Sequence, residues 1–171
     1  MPKIYLGPST QEQNLYVTGG SEEYYMNLVA DTLEPYLRAS GIRFTRNRPE
    51  MIAGQAIRES NAGSYNLHLA LHSNAAPVYE TLRGVDVYHF PGSVNGIRAA
   101  EILADNFKVI CPDPNLVDTR PTTSLGEVDR VRTPAVLVEI AYHDNVDDAN
   151  WIINNIGLIA RTLALSLTEY F

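Results

Sequence analysis

The sequence predicts a single three-layer α/β domain, in which helices cover both faces of a twisted, mostly parallel (mixed) sheet. The chain has 171 residues, of which 45% are hydrophobic and 19% charged, a length and balance that suit one globular core. Short apolar runs alternate with longer segments whose apolar residues recur at helical spacing, as in strands alternating with helices. We find no internal repeat, low-complexity segment or linker, so residues 1–171 are predicted to form one unit.

The first predicted strand covers residues 3–6 and ends at the loop sequence Gly7-Pro8-Ser9. Ser21 is the predicted N-cap of a helix that continues to residues 40–41. The remaining predicted elements are a strand at 42–45, a helix at 52–61, strands at 66–72 and 85–90, a helix at 94–109, a strand at 135–142 and one long helix from about 147 to 171.

The predicted strand at residues 66–72, NLHLALH, alternates between two kinds of side chain. Its leucines occupy one parity, while His68, Ala70 and His72 occupy the other with Asn66, so the two sets face opposite sides of the sheet. The strand at 135–142 is apolar except for Glu139, as expected of a strand covered on both faces.

Composition excludes several classes of protein. Thirteen basic and 20 acidic side chains give a net charge of −7, and the scattered basic residues disfavour nucleic-acid binding. No apolar run approaches the roughly 18 residues of a membrane span, and the start MPKIYLG does not resemble a signal peptide. The only cysteine, Cys111, excludes an internal disulfide framework and a multi-cysteine zinc site. The sequence does not indicate an oligomeric state, and we assume a monomer.

Glu139 is a candidate functional residue because it interrupts an apolar strand. A carboxylate there loses hydration, which costs several kcal/mol unless the group is paired or held at a site. A salt bridge to Arg130 or Arg132 is one explanation. We favour a functional site, because Glu139 lies toward the carboxyl end of its strand, where open α/β sheets place ligand crevices.

The sequence predicts different roles for the four histidines. His72 ends its strand, a position that suits a metal ligand, a general base or a hydrogen-bonded residue at the rim of the sheet. Taken alone, this histidine is expected to be the hydrogen-bonded rim residue. His68 lies about 13 Å away on the same face, too far to share a metal, and is predicted to be structural. His89 and His143 are ambiguous, and both are candidates to line the rim of a cleft.

Two acidic residues, Glu22 and Glu23, lie in the first turn of the predicted helix. Acidic residues at this position ordinarily only complement the helix dipole.

Four segments together resemble a known family. They are EYYMNL at 23–28, LALHSNA at 69–75, GVDVY at 84–88 with PGS at 91–93, and TPAVLVEI at 133–140. In order and spacing, over nearly the whole chain, they are similar to the zinc-dependent N-acetylmuramoyl-L-alanine amidases of the amidase type 3 family.

The resemblance implies an activity and a site. Glu23 and His72 would be ligands of a Zn²⁺ cofactor, and Glu139 the catalytic carboxylate. The implied reaction is hydrolysis of the amide between N-acetylmuramic acid and the L-Ala of the peptidoglycan stem peptide, by a zinc-activated water with a glutamate general base. A substrate as large as peptidoglycan implies an open groove, and an action on the cell wall.

The chain departs from the family at one zinc ligand. Members usually carry their first zinc histidine just after the first strand, whereas residues 7–14 here read GPSTQEQN and no histidine precedes His68. Glu12 is the chemically best local substitute, because a neutral amide such as Gln11 or Gln13 is a poor zinc donor. A remote histidine such as His143 is a further alternative.

The missing histidine leaves a second class of function open. The chain is alternatively a degenerate, non-catalytic domain that binds peptidoglycan or a partner protein. Within the enzymes, a related zinc peptidase or deacetylase acting on another amide is a weaker alternative. The sequence does not choose among these possibilities.

Overall fold

A computed structural model describes residues 1–171 and contains one six-stranded sheet. The strands are β1 (Lys3–Pro8), β2 (Arg43–Arg46), β3 (Leu67–Asn74), β4 (Val85–His89), β5 (Val117–Pro121) and β6 (Ala135–Tyr142). The helices are α1 (Glu22–Ala39), α2 (Ala53–Ala62), α3 (Val94–Ile110), α4 (Gly126–Asp129), α5 (Val146–Asn154) and α6 (Ile156–Tyr170), with a 3₁₀ turn at Pro114–Leu116.

The sheet has the order β2-β1-β3-β6-β4-β5 and is mostly parallel. Only the pair β4–β6 is antiparallel, and the two strands of every other neighbouring pair are parallel to each other. Because helices pack on both faces, the predicted three-layer α/β class with a mixed, mostly parallel sheet is confirmed.

The two faces of the sheet are covered unequally. The leucines of β3 point into a core of 32 buried residues, where α6 packs against both α1 and α3. The opposite parity, which includes His68 and Ala70, faces the thinner layer of α2 and α4, where only Ala70, Val128 and Leu137 form a small apolar cluster. The alternation predicted for this strand is therefore confirmed, and its polar parity lies on the thinly covered face.

The C-terminal segment differs from the prediction. A single helix from about 147 to 171 is wrong, because the chain forms α5 and α6, which meet at an angle of 75°. Asn155 interrupts the helix with φ −126° and ψ 21°, and its side-chain amide donates to the carbonyl of Trp151. Apolar residues continue across the break in both helices, so their spacing alone did not reveal it.

Three short elements were not predicted: β5, α4 and the 3₁₀ turn before β5. In β5 only Val117 is buried, so this edge strand has no alternating apolar pattern.

No single helix is long and apolar enough to span a membrane. By length and composition alone, only the bent pair of α5 and α6 taken together meets that description.

A β-bulge interrupts the pairing of β3 with β6. His72 lies opposite Glu139, but Asn74 lies opposite Tyr142, so β6 contains one extra residue. Ala141, at the bulge, has a positive φ of 57°, and both it and Ile140 belong to the main core. The extra residue returns Tyr142 to the face that carries Glu139.

Candidate active site

A row of polar side chains crosses the thinly covered face of the sheet. His72 on β3 lies directly opposite Glu139 on β6, and Glu139 lies directly opposite Asp86 on β4. Directly paired residues project from the same face, so the three side chains are neighbours. His72 and Glu139 line a cleft of about 410 Å³ that opens beside the loop after β1. The sheet thus brings together two of the residues predicted for the site.

His72 is held by a carboxylate on each ring nitrogen. Its Nδ1 lies 2.8 Å from Glu22 Oε1, and its Nε2 lies 2.9 Å from Glu127 Oε2. Burial alone would lower the pKa of His72, but the hydrogen bonds and charges of Glu127 and Glu22 outweigh it and raise this pKa well above the ordinary value. The two carboxylates therefore favour the protonated form of His72, in which each ring N–H has an acceptor.

The structure brings Glu22, rather than Glu23, to His72. Glu22 is the first residue of α1, is 1% exposed and also accepts a hydrogen bond of 2.6 Å from Asn14. Successive helical residues point about 100° apart, so Glu23 faces elsewhere, and its carboxylate accepts a hydrogen bond from Asn27. The helix was predicted correctly, but only its contact with the sheet selects between two adjacent acids.

The loop after β1 places a glutamine beside His72. Gln11 Nε2 lies 3.3 Å from His72 Nδ1, and Gln13 also lines the cleft. Glu12, predicted as the third metal ligand, is exposed and is not among the residues of the cleft. The amide of Asn14 donates to the carbonyl of Gln11 at 3.4 Å, which closes a turn with the exposed Glu12 at its centre. Glu12 is therefore not brought to His72.

Glu139 differs from the other acids of the site because its Oε2 is buried and has no hydrogen-bond partner. Burial raises the pKa of Glu139 to about 7; the charge of His72 opposes this rise, and the nearby carboxylates Glu22, Asp86 and Glu127 add to it. The alternative salt bridges are not formed, since neither Arg130 nor Arg132 pairs with Glu139 and its Oε2 has no partner. The pKa of Glu139 is thus raised from the ordinary carboxyl value toward neutrality.

Asp86 closes the row on the other side of Glu139. It is 4% exposed, accepts a hydrogen bond of 3.1 Å from the Tyr142 hydroxyl and pairs with Arg120. These three residues line a second cleft, of about 690 Å³. Asp86 is paired with Glu139 across β4 and β6, so the linings of the two clefts contain neighbouring residues.

The other histidines are structural in this arrangement. His68 is fully buried, lies 2.9 Å from Ser60 Oγ through Nδ1 and stacks on Tyr5, which confirms its predicted structural role. His143 stacks on Tyr16 and bonds to Ser73, so it does not move in to replace the missing ligand. His89 bonds only to the adjacent carbonyl of Phe90.

Glu22, Glu127 and Asp86 were missed as site residues from the sequence. Asp86 gave a weak signal, because it is the only charged side chain in the apolar strand GVDVY. Glu127 gave none, since it lies in a four-residue helix with no pattern of its own. Its position depends on how that helix packs over the end of the sheet.

The family model for N-acetylmuramoyl-L-alanine amidase, Amidase_3, matches residues 8–169. The chain therefore belongs to this family. No curated protein matches it.

Solved amidase structures share the fold at low sequence identity. AmiC2 of Nostoc punctiforme, an N-acetylmuramoyl-L-alanine amidase, is 14% identical and superposes with a TM-score of 0.84 over 99% of this chain and 96% of its own. The catalytic domain of CwlV from Bacillus (Paenibacillus) polymyxa is 16% identical, with a TM-score of 0.84 over 99% and 98% of the two chains. The catalytic domain of the CD27L endolysin, which targets Clostridia difficile, is 18% identical, with a TM-score of 0.81 over 99% and 98%.

Proposed function

We propose that this chain hydrolyses the amide bond between the lactyl group of N-acetylmuramic acid and L-Ala in peptidoglycan. One observation carries the proposal: in a chain of this family, the half-buried Glu139 has a buried Oε2 without a partner and lies directly opposite His72 in a cleft. Both clefts are open at the surface, which suits a polymeric substrate better than a small molecule.

Glu139 is proposed as the general base. Its pKa of about 7 lets it accept the proton of the attacking water and return it to the leaving amine of L-Ala near neutral pH. An unperturbed carboxylate, with a pKa near 4.5, would accept that proton far less readily. The burial and the neighbouring acids that raise the pKa are therefore the features that suit Glu139 to this role.

We further propose that Glu22 and His72 hold a catalytic Zn²⁺. No three His, Cys, Asp or Glu side chains converge as a metal site, so a third protein donor has to be of another type. The amide of Gln11 lies beside His72 Nδ1, and rotation about its terminal bond would aim its oxygen at the same place. One carboxylate, one imidazole and one amide oxygen fit zinc, with the amide the weakest of the three. When bound, zinc would polarise the scissile carbonyl and make water more acidic.

The proposed activity is tested on purified sacculi. We expect the zinc-loaded protein to release free L-Ala amino termini, identified by mass spectrometry, and Glu139→Gln to abolish the release while still binding zinc. A product with a different new terminus would instead indicate a peptidase, and release of acetate a deacetylase. Full activity of Glu139→Gln would contradict the proposed base.

The zinc ligand on α1 has a matched pair of variants. Glu22→Gln should lose zinc and activity, because its carboxylate contacts His72, whereas Glu23→Gln should keep both, because its carboxylate contacts only Asn27. Zinc content after dialysis and the rate on sacculi are the measurements. The reverse result would assign the ligand to Glu23.

A second candidate function is a non-catalytic domain that binds peptidoglycan. The neutral Gln11 beside His72 favours it, because two strong ligands hold zinc less tightly than three. Sub-stoichiometric zinc at physiological zinc concentration, no release of L-Ala and retained binding to sacculi would together favour this function over the amidase.

A further inference from the structure

We propose that Glu127 is a positioning residue that orients His72 for zinc binding, an inference that rests on the proposed function. The Glu127 carboxylate contacts the ring nitrogen that faces away from Glu22, at 2.9 Å. It does so from α4, the short helix whose residues Gly126 and Glu127 both line the cleft of His72. With Nε2 engaged by Glu127, Nδ1 is the nitrogen that points toward Glu22 and Gln11.

The orientation matters because an imidazole binds a metal through one nitrogen only. Ligating histidines commonly donate the other ring N–H to a carboxylate, which fixes the ring and its tautomer and makes the ligating nitrogen more basic. Glu127 is placed to accept that proton from His72. Without it, Glu22 would be the only ionic partner of the ring, and a ring flip would exchange the nitrogen and carbon positions.

Glu127 is itself fixed on the other side. It is 8% exposed, and its Oε1 lies 3.7 Å from Nε2 of the buried His68, whose Nδ1 bonds to Ser60. Gly7 leaves the space for this arrangement, because a Cβ there would come within 3.3 Å of Glu127 Oε1. The carboxylate therefore has little freedom to turn away from His72.

Three variants test the inference. Glu127→Ala removes the acceptor, and Glu127→Gln keeps its shape and one accepting oxygen but removes the charge. Glu59→Ala is the matched control, because Glu59 also bonds a residue of this face, the Tyr5 hydroxyl, but does not contact His72. Zinc affinity is measured by competition with a chromophoric chelator, and the His72 ring N–H is followed by NMR in the metal-free protein.

We expect Glu127→Ala to weaken zinc binding about 10–100-fold and to lose the exchange-protected Nε2–H signal. Glu127→Gln should keep that signal and weaken zinc binding less, and Glu59→Ala should change neither measurement. Unchanged zinc affinity and an unchanged ring signal in Glu127→Ala would overturn the inference; if that variant does not fold, an unchanged zinc affinity in Glu127→Gln would do so.

The failure of the inference differs from the failure of the proposed function. If the wild-type protein releases no L-Ala from sacculi, the amidase proposal fails. The ring signal of the metal-free protein still decides whether Glu127 positions His72. If the wild type is active and Glu127→Ala matches it in zinc affinity and ring signal, the inference alone fails.

Discussion

The acidic residues of the site are ionised to different degrees because their partners differ. Glu22 and Glu127 each contact the imidazole ring of His72, and the pKa of each carboxyl is lowered despite burial. Glu139 faces the same histidine without a hydrogen bond, and burial raises its pKa. Of the three carboxyls, the two that contact His72 thus have lowered pKa values and the one without a hydrogen bond has a raised pKa.

The raised pKa of Glu139 predicts that Glu139→Gln is more stable than the wild type at alkaline pH. The folded pKa of about 7 exceeds the ordinary 4.5, so ionising Glu139 between these values destabilises the folded state. With zinc chelated, the free energy of unfolding in urea should be similar for both proteins at pH 4.5. At pH 8 it should be larger for Glu139→Gln by about 1–3 kcal/mol. The prediction would be contradicted if the free energies of unfolding of the two proteins differed by the same amount at pH 4.5 and at pH 8.

The position of Gln11 beside His72 suggests a substitution that should strengthen zinc binding. In Gln11→His, an imidazole beside His72 Nδ1 would replace the weakest donor with a strong one, so zinc binding should tighten by at least about tenfold, or 1.4 kcal/mol. Chelator competition measures the affinity. Gln13→His, on the same loop but without a contact to His72, is the control and should show no such gain.

The sequence singled out Glu139 by its apolar strand and His72 by the resemblance to the amidases, and the sheet places the two side by side. The structure brings Glu22 and Gln11 to His72, whereas the sequence favoured the adjacent Glu23 and Glu12 and gave Gln11 only as a poor donor. A one-residue choice on a helix or loop depends on its contact with the sheet, which no local pattern records.

Among the elements, α1 contributes to the site through its first turn. Ser21 caps this helix by accepting a hydrogen bond from the amide of Tyr24, and Glu22 follows immediately. The cap fixes the helix start and so fixes where Glu22 lies relative to His72. A helix that began one residue later would present a different acid.

Removal of this cap should therefore affect both stability and zinc binding. Ser21→Ala should cost about 1 kcal/mol of unfolding free energy and weaken zinc binding. Ser93→Ala, which removes the equivalent cap of α3 on Gly96, should cost a similar amount and leave zinc affinity unchanged. Urea unfolding and chelator competition measure the two effects, and equal zinc affinities would contradict the link.

The bulge in β6 is a second element with a specific requirement. Ala141 has a positive φ in a buried position, which a β-branched residue tolerates poorly. Ala141→Val should destabilise the protein by about 2 kcal/mol or more, whereas Ala141→Gly should stay within about 1 kcal/mol of the wild type. Thermal or urea unfolding measures both, and similar stabilities for the two variants would argue against strain at this position.

Elements with strong periodicity were predicted, and elements that depend on tertiary contacts were not. Strand β3 and helix α1 have clear patterns, and both were found. The charged edge strand β5 and the four-residue helix α4 have no apolar period, and both were missed. The break at Asn155 was missed because apolar residues continue on both sides of it.

In the whole molecule, the large core and the site lie on opposite faces of one sheet. Phe107 on α3 is fully buried in the 32-residue core, whereas Val128 on α4 belongs to the small cluster beneath the site. The two clusters differ greatly in size, so the stability of the fold depends mainly on the face away from the site.

Substitutions in the two clusters should differ accordingly. Phe107→Ala should lower the free energy of unfolding by about 3–5 kcal/mol, and Val128→Ala by about 1–2 kcal/mol. Zinc affinity should change only in Val128→Ala, whose neighbour Glu127 contacts His72. Urea unfolding and chelator competition measure the two effects, and a smaller loss of stability in Phe107→Ala would contradict the assignment of the main core.

The unequal covering of the sheet has a consequence for how this protein accommodates change. A backbone layer separates the side chains of the site from most of the side chains that stabilise the fold, so few residues contact both sets. Effects of distant substitutions that share no partner usually add. Stabilising substitutions in the helices α3 and α6 should therefore be combinable with new side chains around the site, which leaves the site free to diversify while the scaffold persists.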